Sequence, residues 1–303
     1  MTTSMAASHA ASKRLKDAIF GASAACREAA AKYGADKVTN ATMGVMMDDD
    51  GKLASIPTME RVFRSLSIED YVRYAPIPGL PEYLDAVIDL TFADQKPEGY
   101  FGAIATAGGT GAIHHAVANY AERGDAVLTA DWFWGTYNVI CNECGSRLTN
   151  YQLFDEQQNF NRKDFADRFE GLLKTQESLL TIINTPAHNP TGFSLTEEDW
   201  DFVLDLAKKY AAKGKKISIL VDIAYIDYAG EKNETRRFMK KFGNLPDNIL
   251  VMFAFSMSKA IRPMASAPVP SSPSPRARTS SRNSRRSTNT RAAQPGRTST
   301  AVL

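Results

Sequence analysis

An α/β fold with a mostly parallel sheet flanked by helices is what this 303-residue sequence predicts. Three observations carry that expectation. From residue 101 onward, short apolar runs alternate regularly with amphipathic, helix-like stretches. The apolar runs are nearly continuous rather than alternating with polar residues, as in strands buried on both faces. Polar or glycine-rich segments then follow the runs at 108–111, 189–192, 222–225 and 256–259. In open sheets of this kind ligands bind outside the carboxyl ends of the strands.

Each element has a local reason. Residues 13–33 are alanine-rich with helical periodicity, and Gly34 is placed to stop that helix. Asp48-Asp49-Asp50-Gly51 reads as a solvated acidic turn. Pro57 opens a helix to about residue 66, where its missing N–H costs nothing. The prolines and glycine of 76–81 force an irregular loop before a helix over 82–92. A strand over 101–107 leads into Gly108-Gly109-Thr110-Gly111 and a helix to about 122. Strands are expected at 125–130, 147–154, 179–184, 216–223 and 249–255, and helices at 135–144, 162–174 and 197–212. Thr196 caps the last of these, with Glu197, Glu198 and Asp199 in its electropositive first turn.

After Ala260 the character changes. Residues 261–303 contain eight arginines, six prolines and nine serines, with no acid and no aromatic residue. They carry +8 of a whole-chain charge of +2, which leaves the first 260 residues acidic. Such a segment has too little apolar surface to offset its ordering entropy and is expected to be disordered. The domain organisation read from the sequence is therefore an N-terminal helical segment (1–37), an α/β domain (38–260) and a basic tail (261–303). The tail offers salt-sensitive charge to nucleic acid but no aromatic residue for specific recognition, so no specific nucleic-acid partner is expected.

Other classes are disfavoured by composition. No apolar run reaches membrane-spanning length, so no membrane partner is expected. Three cysteines are too few for a disulfide framework and point to a reducing, cytoplasmic setting. The basic residues Lys13, Arg14 and Lys16 in an acid-free N-terminus could address an organelle, but a frayed terminus entering a helix is the better reading. Cys141-Asn142-Glu143-Cys144 has no second cysteine pair, so it reads as two cysteines on one side of a helix, and no metal site is expected. His114 and His115 are given no catalytic role, and His188 is expected to make a loop contact.

The strand-end segments carry the chemistry. Gly108-Gly109-Thr110-Gly111 between strand and helix can cradle an anion with backbone N–H groups and the helix dipole. Alone it is equally a tight turn, and it is neither a dinucleotide fingerprint nor a Walker loop. Asp222 ends a strand and could serve as base, metal ligand, ion-pair partner or turn cap. Lys259 follows an apolar strand end between Ser258 and Ala260, where desolvation favours a nucleophilic amine fit for Schiff-base chemistry.

Taken in order, Asn189-Pro190-Thr191-Gly192, Asp222-Ile223-Ala224-Tyr225 and Ser256-Met257-Ser258-Lys259 resemble fold-type I pyridoxal-phosphate enzymes, specifically the class I/II aminotransferases related to aspartate and aromatic aminotransferases. The resemblance covers about residues 38–260. It implies the large domain of that fold, pyridoxal 5'-phosphate as cofactor, amino acid and 2-oxo acid as substrates, and a homodimer. It implies that Lys259 holds the cofactor covalently and moves the α-proton, and that Asp222 pairs with the protonated ring nitrogen. Tyr225 and Asn189 would bond the ring's phenolic oxygen. Gly109, Thr110 and Ser256 would hold the phosphate, supported by Ser258, and Trp134 rather than Trp132 would stack on the ring. Tyr74 would reach the phosphate of a neighbouring subunit, and Gly44 lies in the segment that covers the substrate. Asn189 and Trp134 also border the substrate.

The resemblance stops one residue beyond Lys259. Ala267 stands where the family places a phosphate-binding arginine, and the C-terminal small domain with its carboxylate-binding arginine is not recognisable. That reads as a truncation or a shifted reading frame. The alternatives to transamination are thus an inactive truncated product and a cofactor-sharing β-lyase.

Overall fold

A computed structural model describes Met5 and residues 18–40, 55–260 and 299–302 of the chain. Gly44, the acidic turn at 48–51, Ala267 and most of the basic tail lie outside the described residues. The chain divides into two compact units, 1–55 and 56–303. In the first, α1 (Ala18–Tyr33) ends at Gly34, whose φ of 101° is the left-handed stop its position predicts.

The second unit opens with α2 (Pro57–Ser65), α3 (Ile68–Val72) and α4 (Pro81–Phe92). Pro57 and Pro81 take first-turn positions, as their sequence context requires. The short α3 was not expected; Ser67 and Asp70 build a reciprocal capping box around it. There follow β1 (Tyr100–Ala103), α5 (Gly108–Tyr120), β2 (Ala126–Ala130), α6 (Thr136–Cys144), β3 (Arg147–Tyr151), α7 (Arg162–Leu173), β4 (Ser178–Asn184), α8 (Glu197–Ala211), β5 (Lys216–Asp222), β6 (Ile249–Ala254), α9 (Met257–Ala260) and β7 (Ser299–Val302). The strands form one seven-stranded sheet in the order β1-β7-β6-β5-β4-β2-β3, with every pairing parallel.

Two corrections to the sequence reading have clear causes. The strand expected over 101–107 ends at Ala103, because the Ala105 amide turns away to donate to the Pro78 carbonyl at 2.8 Å. The disorder expected for the tail fails at Ser299–Val302. These four residues pair with β1 on one side and β6 on the other. Two facing backbone edges supply ladder bonds that composition alone does not reveal.

The period of two along each strand sends side chains to two cores. Leu179 and Ile183 of β4, Ile219 and Val221 of β5, and Val251 and Phe253 of β6 join one cluster with Phe165, Phe169 and Trp200. Leu180, Ile182, Leu220 and Met252 join the other, against Ile113, Val117, Tyr137 and Ile140 of α5 and α6. The cap expected at Thr196 forms: its hydroxyl accepts from the Asp199 amide, while Asp199 accepts from the Thr196 amide. Asp199 also pairs with Arg162 at 2.7 Å, tying α8 to α7.

A 3-10 stretch, Glu234–Phe242, closes the first cluster, its Phe238 stacked on Trp200 with ring centroids 5.2 Å apart. Arg236 within it is only 2% exposed. Its guanidinium donates to Asp227 at 2.7 Å and to the Leu90 and Thr91 carbonyls at the end of α4. Arg236→Ala would leave those carbonyls without their donor and open a cavity at the end of α4. Its expected cost is about 3 kcal/mol, read as a lowered urea midpoint in equilibrium unfolding.

Candidate active site

The parallel register brings three strand ends level. Asn184 of β4 is the Cα partner of Asp222 on β5, and Asp222 is the partner of Ala254 on β6. Side chains leaving these ends converge on one cavity of about 300 Å³. It is lined by Gly109, Thr110, Trp134, Tyr137, Asn184, Asn189, Asp222, Tyr225, Ser256, Ser258 and Lys259.

Asp222 is the buried anchor, 6% exposed at the end of β5. Its Oδ2 accepts a hydrogen bond from the Tyr137 hydroxyl, and its Oδ1 accepts from the Ala224 amide at 3.2 Å. Its backbone carbonyl accepts from Asn184 Nδ2 at 2.8 Å. Burial pushes the carboxyl above its usual range, while the Tyr137 hydroxyl, the Ala224 amide and the charge of Lys259 pull it back. Tyr137 is itself buried, and burial followed by the charge of Asp222 pushes its phenol far up, so it remains a donor.

Asn184 has a second task. Its Oδ1 accepts from the Asn189 amide at 2.7 Å, fixing the start of the Asn189-Pro190 turn. The Asn189 side chain then lies 3.4 Å from the Tyr225 hydroxyl. Lys259 is half-buried in the turn after β6, with Nζ 5.4 Å from the centroid of the Tyr225 ring. Its carbonyl accepts from the Tyr228 hydroxyl at 2.6 Å.

The glycine segment is not a loop ahead of a helix but the first turn of α5. Gly108 takes φ +66°, where a side chain would be strained. Gly109 packs against the lysine turn: a Cβ there would lie 3.3 Å from Ser256 Cβ. The helix head therefore approaches Ser256 as closely as backbone allows, with its amides and dipole toward the cavity.

Nine of the residues singled out in the sequence meet in this cavity: Gly109, Thr110, Trp134, Asn189, Asp222, Tyr225, Ser256, Ser258 and Lys259. Tyr74 does not join them; it is 96% exposed on the loop after α3. Trp132 stays outside the lining and is mostly exposed. Sequence reasoning missed Tyr137 and Asn184. Tyr137 shares an i, i+3, i+4 face with Ile140 and Cys141 and so reads as core. Asn184 could have been found as the polar last residue of a strand that ends beside Asp222.

The donor set suits a phosphorylated heterocyclic aldehyde: an anion cradle, a buried carboxylate for a ring cation, phenol and amide for a ring oxygen, and a free amine. An α/β domain with a lysine and a buried carboxylate facing one cavity at its strand ends is the class these features define. The class I and II aminotransferase family model matches residues 36–264, and the chain belongs to that family. It is 26% identical over 233 residues to a tyrosine aminotransferase of Klebsiella pneumoniae and to an aromatic-amino-acid aminotransferase of Escherichia coli, matches that cover 73% of this chain and 55% of each relative. An aminotransferase structure from Anaerococcus prevotii superposes with a TM-score of 0.81 at 37% identity, over 85% of this chain and 63% of that one. The fold is also shared, at 21% identity and a TM-score of 0.60, with an aromatic-amino-acid aminotransferase from Burkholderia pseudomallei solved covalently bound to pyridoxal phosphate, over 83% of this chain and 61% of that one. The chain thus spans little more than half the length of the curated relatives it matches.

The loop contact expected of His188 is present and reaches across the site's rim. Nε2 lies 2.9 Å from the Trp132 carbonyl and Nδ1 2.9 Å from Thr191 Oγ1. A carbonyl only accepts, so Nε2 carries the proton. Burial holds the imidazole below its usual pKa of 6.5. As pH falls below 6.5 the unfolded chain takes up a proton that the folded chain refuses, so this contribution to stability is present above 6.5 and lost on acidification. His188→Gln keeps an amide donor for Trp132 without titrating. It is expected to flatten the acid limb of stability between about pH 7 and 5, measured by urea unfolding.

Proposed function

We propose that the cavity holds pyridoxal 5'-phosphate and that the chain serves transamination between an amino acid and a 2-oxo acid. The observation that carries this reading is the convergence of Lys259, the buried Asp222 and the glycine head of α5 on one cavity. When bound, the cofactor supplies an electron sink for negative charge at the α-carbon of an amino acid.

The chain's own residues do the rest. The amides heading α5 at Gly109 and Thr110, with the Ser256 and Ser258 hydroxyls, hold the phosphate. Asp222 retains the proton on the ring nitrogen. Asn189 and Tyr225 bond the ring's phenolic oxygen, and Trp134 covers the ring face and excludes water. Lys259 Nζ would hold the cofactor covalently and, once displaced by the amine of the substrate, would take the proton from the amino acid's α-carbon. Trp134 and Asn189 also border the amino acid, and Gly44 belongs to the segment proposed to cover it.

A homodimer is part of the reading. Val62, Phe63, Ile68, Val72, Tyr74 and Ile77 leave a run of apolar side chains exposed on one protomer, and Tyr74 is assigned to the phosphate of a second copy. A cytoplasmic setting is supported by three cysteines carried as thiols. Among the described residues no helix is long and apolar enough to cross a membrane.

The test is the full chain mixed with pyridoxal phosphate. A visible absorbance band is expected, and borohydride should fix a pyridoxyl label on Lys259, found by peptide mapping. Lys259→Ala should remove the label and lower transamination at least about a thousandfold. A label on other lysines alone would overturn the assignment. Pyruvate and ammonia released from a cysteine-type substrate without an acceptor would make the chain a β-lyase instead.

A further inference from the structure

We propose that Tyr137 is a positioning residue: its hydroxyl holds the Asp222 carboxylate as an anion aimed into the cavity and so sets how firmly the site grips a cationic ring nitrogen. Only the last clause rests on the cofactor reading above. The first stands on the protein alone.

Packing does not require that hydroxyl. Tyr137 lies in the first turn of α6, in the cluster of Ile140, Ile182 and Leu220, where a phenylalanine would fill the same space. The oxygen nevertheless reaches across from the helix layer to the sheet and finds Asp222, 85 residues away. The other acceptor sites of Asp222 are already served, Oδ1 by the Ala224 amide and the main-chain oxygen by Asn184. Oδ2 is therefore the oxygen whose partner decides the charge of the carboxyl.

The groups facing the pair come from every side. Lys259 acts on Asp222 from the turn after β6, while Tyr225 from the segment after β5 and Tyr151 from β3 act on Tyr137. Burial works against ionisation of Asp222, and Tyr137 is the foremost group opposing it. Without the hydroxyl the carboxyl would hold its proton to higher pH and present less charge to a ring cation. Because the phenol of Tyr137 is held far above neutrality, it stays a donor wherever Asp222 is charged.

The experiment is a double-mutant cycle on the full chain without cofactor: Tyr137→Phe, Asp222→Asn and the pair, each unfolded in urea at several pH values. Asparagine can satisfy both neighbours, accepting from Ala224 and donating to the Tyr137 oxygen. The folded carboxyl of Asp222 titrates above its ordinary value of 3.8, so its contribution is fullest below that value and declines as pH rises through the folded pKa. Tyr137→Phe raises the folded pKa further, so the decline runs on to higher pH and goes deeper. Its cost should therefore grow with pH when Asp222 is present and be independent of pH in the Asp222→Asn background. A cost equal at every pH in both backgrounds would reduce Tyr137 to packing and overturn the proposal.

If Tyr137→Phe alone does not fold at neutral pH, rescue by Asp222→Asn or by acid supports the proposal, and failure of both refutes it. A second arm titrates pyridoxal phosphate by absorbance. Tyr137→Phe should weaken binding by about tenfold to a hundredfold, with the deficit shrinking as pH rises and Asp222 regains its charge. A deficit that does not change with pH counts against the proposal. If the unsubstituted chain binds no pyridoxal phosphate, the cofactor reading fails, and the unfolding cycle still decides the role of Tyr137.

Discussion

A carboxylate cannot be left bare inside a protein, and the burial of Asp222 is the constraint around which this site is built. A charge withdrawn from water must be given hydrogen bonds or it takes a proton. Here support comes from three different places: hydrogen bonds from the hydroxyl of α6 and from the amide two residues on, and the charge of Lys259 from the next strand's end. Each donor fixes the position of the element that carries it. The polar network thus orders the rim of the sheet as well as satisfying one residue, which is why its members are also the residues that face the cavity.

Parallel register makes that ordering possible. Because Asn184, Asp222 and Ala254 are level, a side chain on one strand end reaches the backbone of the next without strain. Asn184 uses this twice, bonding the Asp222 carbonyl with its amide and the Asn189 backbone with its oxygen. The β4 and β5 ends are in this way stitched to the Asn189 turn. Behind the network, alternate residues of the same strands enter two packed cores, so the rim rests on elements that move little.

Much of this was legible in the sequence, and the illegible parts share a cause. Lys259, Asp222 and Asn189 could be read because each breaks an apolar run where a strand ends, and a polar residue there has few reasons other than chemistry. Tyr137 could not, since on an apolar helix face its ring is all that the pattern reports. Arg236 was hidden likewise: the stretch Glu234–Phe242 is so rich in charge that one buried guanidinium does not stand out. The early end of β1 depends on a bond between Ala105 and Pro78, and β7 on two edges distant in sequence. Local pattern records which face a residue shows, whereas these features depend on a partner that only the fold brings near.

The two halves of the site are held in different ways. The Asp222 half is locked by register on both flanks. The glycine half hangs from β1, whose strand partner among the described residues is the four-residue β7. What couples the halves directly is the approach of Gly109 to Ser256. The axis of α5 is set by Ile113, Ala116 and Val117 in the core, so its first turn cannot retreat far from the lysine turn. An added methyl at position 109 would have to push Ser256, and with it the turn that carries Lys259, because the helix behind it is fixed. The missing side chain therefore sets the separation between the head of α5 and the turn that carries Lys259.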